Sequence, residues 1–125
     1  KVAQWLSADP RVSWVSFPGL EGDKYHALAE KYMPNGTCGV ISFGVPGGRE
    51  KVSAFLDHLK MVSIATHVAD ARSCTLYPSG TTHRQLTEEQ LIEAGVGIDL
   101  VRLSCGIENA DDIIADLDQA LAAVQ

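Results

Sequence analysis

Apolar residues return every three to four positions in five stretches of the chain, which is the spacing that places them on one face of an α-helix. Two of these stretches begin with capping residues. Asn109 precedes the last stretch, and Thr87 with Gln90 has the spacing of a capping box. The pattern predicts a first helix that ends at Asp9-Pro10, a helix over 23–33, a helix that opens at Gly47-Gly48, a short helix from Thr87 to about Gly95, and a helix over 109–124.

Runs rich in apolar and β-branched residues alternate with these helices. They predict strands over 11–17, 37–45 and 99–106, and two short extended pieces within 61–76 that separate near Ala69-Asp70. Two adjacent extended pieces break the strict alternation of a doubly wound sheet. We therefore predict an α+β fold, an α/β sandwich in which one small β-sheet carries amphipathic helices mainly on one face.

Composition narrows the possible partners. The chain has 125 residues, which suits one domain, and a formal net charge of −6 without any basic run. Nucleic acids and anionic membranes need clustered cations, so neither is an expected partner. No apolar run approaches the length of a transmembrane helix.

The cysteines indicate a compartment. Cys38, Cys74 and Cys105 are far apart in sequence and each lies in an apolar, strand-like segment. Disulfide frameworks and zinc sites favour closely spaced pairs, so we predict three buried thiols in a reducing, cytoplasmic environment and no metal site. The histidines also lack the spacing of a metal pair.

Arg102 is the residue that most strongly suggests chemistry. It stands within Leu-Val-Arg-Leu, in the middle of an apolar strand that we expect to lie inside the sheet, under the 109–124 helix. A guanidinium is costly to bury without a partner, and its planar fork matches a carboxylate. Arg102 therefore either lines a pocket and binds a substrate carboxylate, or forms an internal ion pair, or faces water at a sheet edge.

Two segments carry a resemblance to a known family. VRLSCGIENADDIIADLDQALAAV, which begins at Val101, resembles the closing segment of the cysteine/methionine-metabolism family of pyridoxal-phosphate (PLP) enzymes, where Arg-Leu-Ser-x-Gly-x-Glu precedes a capped helix. HVADARSCTLYPSGTTHRQLTEEQL, which begins at His67, resembles the family's Gly-Asp-Ala stretch and its His-Pro-Ala-Ser-x-Thr-His loop. FPGL and ISFGVPGGRE form a weaker third block. The Thr-Thr-His-Arg-Gln-Leu run is most similar to the O-acetylhomoserine sulfhydrylases.

The resemblance implies a fold and a set of roles. Residues 1–125 would be the C-terminal small domain of a fold-type-I PLP transferase of methionine biosynthesis, which makes homocysteine and acetate from O-acetylhomoserine and sulfide. Arg102 would bind the α-carboxylate of the amino-acid substrate, and His67 would lie near the substrate. The family also implies a homo-oligomer, a tetramer.

The cofactor is expected elsewhere in the full protein. The family binds PLP through a lysine in a Ser-x-[Ser/Thr]-Lys motif of its large domain, and no lysine here has that context: Lys1, Lys24, Lys31, Lys51, Lys60. We therefore predict that this chain is a fragment that contains no catalytic or cofactor-binding residue, binds no PLP alone and is inactive alone.

Departures from the family pattern leave alternatives open. Tyr77 replaces the usual His of the loop, Ser79-Gly80 replaces Ala-Ser, Ala69 stands where Gly is common, and His67 stands where other branches carry Asn or Ser. The parent enzyme is therefore alternatively a methionine γ-lyase or a cystathionine γ-synthase or lyase. A free-standing α/β ligand-binding domain is the alternative from another class.

Overall fold

The secondary structure alternates along the chain much as the hydrophobic pattern predicts. A computed structural model describes residues 1–125. Its elements are, in chain order, α1 (Val2–Ala8), β1 (Val15–Ser16), α2 (His26–Tyr32), β2 (Val40–Gly44), α3 (Gly48–Asp57), β3 (Ser63–Ile64), β4 (Cys74–Leu76), a 3₁₀ turn (Pro78–Gly80), α4 (Glu88–Glu93), β5 (Leu100–Ser104) and α5 (Ala110–Ala122).

The five strands form one sheet in the order β1-β2-β5-β4-β3. Only the β3–β4 pair is parallel, and the others are antiparallel. The central strand is β5, where Arg102 lies between Ser42 on β2 and Leu76 on β4. The prediction that the Arg102 strand lies inside the sheet is therefore confirmed, and an edge position for Arg102 is wrong.

Alternation along β5 gives the sheet two different faces. Val101 and Leu103 are fully buried and belong to one hydrophobic cluster with residues of α1, α3 and α5. The contribution of α5 is the set predicted from sequence: Ile113, Leu117, Leu121. We call this side the helix face. Arg102 points to the opposite side, which we call the far face.

One carboxylate is buried at the rim of the helix face. Asp116 on α5 accepts hydrogen bonds from the backbone N–H groups of Lys60, Met61 and Val62, each at 2.9 Å. Burial raises the pKa of Asp116, but the hydrogen bonds from those three N–H groups and from the Gln119 amide together outweigh it, so its pKa lies below the ordinary value. Asp116 thereby fastens the chain after α3 to α5.

Both predicted caps are present. The Thr87 side chain accepts from Gln90 N while the Gln90 side chain accepts from Thr87 N, and the Asn109 side chain accepts from Asp111 N. None of the helices combines the length and the apolar character that a membrane span requires.

Three details differ from the sequence prediction. The strand predicted over 11–17 is reduced to Val15–Ser16, and the helix predicted over 23–33 is reduced to His26–Tyr32. The Asp23 carboxylate accepts from Phe17 N and Tyr25 N, which makes a turn where the helix was expected to start. The prediction of three buried thiols holds for Cys74 alone, because Cys105 is half-buried and Cys38, which precedes the start of β2, is exposed.

Candidate functional site

Arg102 is half-buried on the far face and is held there by main-chain oxygens. Its Nη2 donates to the carbonyl oxygens of Thr66, at 3.1 Å, and His67, at 3.3 Å. It forms no ion pair with any Asp or Glu side chain. The internal ion pair considered from the sequence is therefore wrong, and the positive charge is not neutralised within this chain.

The Nε atom of Arg102 is buried and has no acceptor in the protein. A buried donor without a partner costs about 1–3 kcal/mol, so such atoms are rare in folded proteins. Nη2 is already occupied by carbonyl groups, whereas Nε has no partner within the chain. The local geometry therefore suits a bound anion, and a planar carboxylate matches the guanidinium best.

The carbonyl groups that hold Arg102 belong to a segment that crosses the far face. This crossing segment, residues 65–71, follows β3 and passes over the end of β5. Ala69 N donates to Ser104 Oγ at 3.2 Å, and Cys74 Sγ donates to the His67 carbonyl at 3.2 Å. Ala69 has a positive φ of 58°, which agrees with the frequent Gly at this position of the family pattern.

Beyond the far end of the crossing segment, Ser73, Gly106 and Glu108 form a half-buried hydrogen-bonded cluster. The Glu108 carboxylate accepts from Ser73 N at 2.7 Å and from Ser73 Oγ at 2.8 Å. Ser73 Oγ in turn accepts from Gly106 N at 2.9 Å. The Ser73 backbone N–H, as the largest effect, holds the pKa of Glu108 below its ordinary value. We call this group the Glu108 cluster.

The Arg-Leu-Ser-x-Gly-x-Glu stretch thus acts as one clamp on the crossing segment. Leu103 is buried in the core, Ser104 binds the segment at Ala69, and Glu108 binds Ser73, two residues after the segment ends. A Cβ at Gly106 would overlap the Ala71 carbonyl oxygen, the Ser73 nitrogen and Glu108 Oε2, so only glycine leaves room. Within this stretch the sequence predicted a role for Arg102 alone, and the other positions were marked only by the shared motif.

His67 contacts Arg102 through its main chain. Its imidazole is exposed, with 65% of the side-chain surface accessible, and Nδ1 lies 3.5 Å from Asp70 Oδ2. The backbone N–H of Arg72, as the largest effect, lowers the pKa of Asp70. The side chain of His67 is thus exposed beside Asp70, and its substrate-binding role stays a prediction.

Two departures from the family loop depend on each other. Tyr77 is buried and its hydroxyl donates to the Ile98 carbonyl at 2.8 Å. A Cβ at Gly80 would clash with the Tyr77 ring. A glycine at position 80 therefore accommodates the larger side chain at position 77. Tyr77 belongs to the hydrophobic core cluster, and neither residue forms a hydrogen bond with Arg102.

No lysine lies in the segments around Arg102. The segments that surround Arg102 are β2, β4, the crossing segment and residues 102–108, and none contains a lysine. Lys1 pairs with Asp111, and Lys24 and Lys31 lie over the rings of neighbouring tyrosines. No group of three or more His, Cys, Asp or Glu side chains is placed to hold a metal ion.

Comparisons with known proteins agree on one family. The profile described as "Cys/Met metabolism PLP-dependent enzyme" matches residues 1–122. An O-acetyl-L-homoserine sulfhydrylase of Leptospira meyeri is 45% identical over 97% of the chain and 28% of its own length. A homocysteine synthase of Schizosaccharomyces pombe is 48% identical over 96% of the chain and 28% of its own length.

A solved structure gives the same result. A Campylobacter jejuni protein described as an O-acetylhomoserine (thiol)-lyase, crystallised with N′-pyridoxyl-lysine-5′-monophosphate, superposes with a TM-score of 0.87. It is 38% identical, and the match covers 97% of this chain and 29% of the other. The chain therefore spans less than a third of the length of these relatives.

Proposed function

Because the chain belongs to the Cys/Met metabolism PLP-dependent enzyme family, we propose that residues 1–125 are the C-terminal substrate-binding domain of an O-acetylhomoserine sulfhydrylase. Arg102 binds the α-carboxylate of the substrate. The observation that carries this proposal is the guanidinium of Arg102, whose charge is unpaired and whose buried Nε has no acceptor within this chain. A substrate carboxylate supplies both the acceptor and the opposite charge.

The full protein converts O-acetyl-L-homoserine and sulfide to homocysteine and acetate in methionine biosynthesis. The part played by this domain is to hold the amino acid in a fixed orientation. A bidentate contact at the α-carboxylate leaves little freedom of rotation at Cα, and positioning of this kind contributes several kcal/mol to catalysis in enzymes generally. His67, at the same end of the site, contacts the substrate through its exposed imidazole.

The cofactor of the proposed enzyme is PLP, held by residues outside this chain. The chain contributes no lysine near Arg102, whereas the Campylobacter jejuni structure carries a pyridoxyl-lysine group. We expect the chain alone to bind no PLP covalently and to have no activity with O-acetylhomoserine. The test is visible absorbance after incubation with PLP and desalting, and a yellow adduct that borohydride fixes to one of its lysines would contradict it.

The decisive experiment uses Arg102→Ala and Arg102→Lys in the full-length, PLP-loaded protein. We expect Arg102→Ala to lower kcat/KM by a factor that corresponds to about 2–5 kcal/mol, because the substrate charge is left unpaired in a partly dry site. Arg102→Lys recovers only part of the loss, since an ammonium cannot present two parallel donors. PLP content and melting temperature stay at the wild-type values.

Two results would contradict the proposal. A fall of melting temperature and PLP content with little change in kcat/KM per folded, loaded enzyme assigns Arg102 a structural role. Higher activity with cysteine as acceptor, or elimination without sulfide, assigns the protein to the cystathionine-forming or γ-lyase branch. Both measurements use the same three proteins.

The full protein is further proposed to be a homo-oligomer, a tetramer, that works in the cytoplasm. The support is the family match and, for association, the exposed apolar side chains on and beside α2: Tyr25, Leu28, Tyr32, Met33. Light scattering of the full-length protein tests the tetramer, and cell fractionation tests the location. A monodisperse monomer or a membrane-bound fraction would be inconsistent with this part.

A further inference from the structure

We propose that Glu108 is a positioning residue that keeps Arg102 in its carboxylate-binding orientation, an inference that rests on the proposed function of Arg102. Glu108 does not touch Arg102. It acts through the crossing segment, whose carbonyl groups hold the guanidinium. The chain of contacts runs from Glu108 to Ser73, along the segment to His67 and Thr66, and from there to Arg102 Nη2.

The first link is the contact between Glu108 and Ser73, in which the carboxylate is bound by two hydrogen bonds and no cation. Both oxygens of Glu108 accept from Ser73, one from its backbone N–H at 2.7 Å and one from its hydroxyl at 2.8 Å. Ser73 itself is fully buried. The neighbouring backbone bond from Ile107 N to the Ala71 carbonyl, at 3.0 Å, adds a second connection at the same place. The crossing segment therefore has a rigid anchor at its C-terminal end.

The second link fixes the part of the segment that touches Arg102. Ala69 N is bound by Ser104 Oγ, and the His67 carbonyl also receives Cys74 Sγ. At the other end, Ala65 N donates to the Thr75 carbonyl at 2.9 Å. Arg102, Ser104 and Glu108 lie on one continuous stretch of chain. This stretch holds the crossing segment in place, and the crossing segment in turn orients Arg102.

Chemistry explains why the anchor is a carboxylate. Both groups that Ser73 presents to Glu108 are donors, and a carboxylate is an acceptor at both oxygens. A glutamine of the same shape has no charge, and it keeps the bond from Ser73 N only by turning its NH₂ group to the Ser73 hydroxyl, which must then accept instead of donate. The Glu108→Gln variant therefore weakens the hydrogen bonds of the Glu108 cluster without changing the size of the side chain.

The experiment compares two competitive inhibitors that differ only in the carboxylate, L-norvaline and n-butylamine, on the full-length, PLP-loaded protein. We expect Glu108→Gln to raise the inhibition constant of norvaline about fivefold to tenfold, which corresponds to weakening one charge-assisted hydrogen bond. The constant of butylamine stays unchanged. Ser73→Ala removes the hydroxyl from the Glu108 cluster and shifts the ratio of the two inhibition constants in the same direction. This second variant keeps the test decisive if Glu108→Gln does not fold.

Asp116→Asn is the matched control, because it disrupts a carboxylate that also binds backbone N–H groups, but on the helix side of the sheet. It lowers the melting temperature and leaves the inhibitor ratio unchanged. If Glu108→Gln and Ser73→Ala behave like Asp116→Asn, the positioning role is wrong. Arg102→Ala separates the two proposals. An unchanged ratio of the two inhibition constants in that variant refutes the function of Arg102 itself. A changed ratio in Arg102→Ala together with an unchanged ratio in Glu108→Gln refutes only the role of Glu108.

Discussion

The two faces of the sheet are stabilised in different ways. The helix face is apolar and closed, and its one buried carboxylate, Asp116, has its hydrogen-bonding capacity met by three backbone N–H groups and a glutamine amide. The far face at β5 carries Arg102 and a crossing segment held by polar contacts. It retains a buried donor, Nε of Arg102, that no group of this chain satisfies.

This difference separates folding from binding. Groups that satisfy one another inside the domain contribute to stability, and a group left with an open donor has a cost that a ligand can remove. Two arginines illustrate the difference, because Arg11 forms ion pairs with Asp9 and Asp118 whereas Arg102 donates only to carbonyl oxygens. Variants of the two faces are therefore expected to fail in different measurements.

The largest effect on stability is expected from the helix face. Leu117 is fully buried in the core cluster, so Leu117→Ala should lower the free energy of unfolding by about 2–5 kcal/mol. Denaturant melts measure this loss directly. Ligand recognition at Arg102 should be unaffected in the protein that remains folded. A near-neutral melt would mean that α5 does not pack on β5 as described.

Asp116→Asn tests the same face through charge. Replacing one oxygen by NH₂ sets a donor against backbone N–H groups, which should cost about 1–3 kcal/mol at neutral pH. The pKa of Asp116 is lowered by folding, so its contribution is present above its unfolded value near 3.8 and is lost as the pH falls through the lower folded value.

The difference between wild type and Asp116→Asn should therefore shrink below about pH 4. Denaturant melts at pH 7 and at successively lower pH values measure it. A difference that stays constant through this range would show that the charge of Asp116 is not what stabilises the segment after α3.

Gly106→Ala tests the far face by steric means. The new methyl group would overlap backbone atoms of Ala71 and Ser73, so the crossing segment must move, at a cost of about 1–3 kcal/mol. Carboxylate recognition by Arg102 should weaken as well. Gly22→Ala is the control, because a Cβ at Gly22 meets no atom within 4 Å. Equal melting temperatures for the two variants would contradict the close approach at Gly106.

The smallest effect concerns the thiols, which report on local exposure. Cys38 is exposed and Cys74 is buried beneath the crossing segment, while burial raises the pKa of the half-buried Cys105 thiol. A thiol reagent at neutral pH should modify Cys38 first, Cys105 slowly and Cys74 only when the segment opens. Rapid labelling of Cys74 in the native protein would show that the far face is loosely covered.

Much of the fold was accessible from the sequence because its signals are local. Periodicity located α1, α3, α5 and the interior strands, and the residue types at Thr87 and Asn109 were enough to predict both caps. The boundaries near 11–33 were wrong because the Asp23 turn depends on contacts several residues away. Likewise, nothing local revealed that Cys38 lies outside its strand.

At the site, the sequence by itself determined the identity of the arginine and its place in an apolar strand. It also contained both motifs, but as separate segments about thirty-five positions apart, as Ser73 and Glu108 are. Only the tertiary structure decided that they form one unit, because the pairing of β4 with β5 brings Ser73 to Glu108 and lays the crossing segment on Arg102. The open Nε is likewise a property of the folded chain, since whether a donor is satisfied depends on every group packed around it and on no single stretch of sequence.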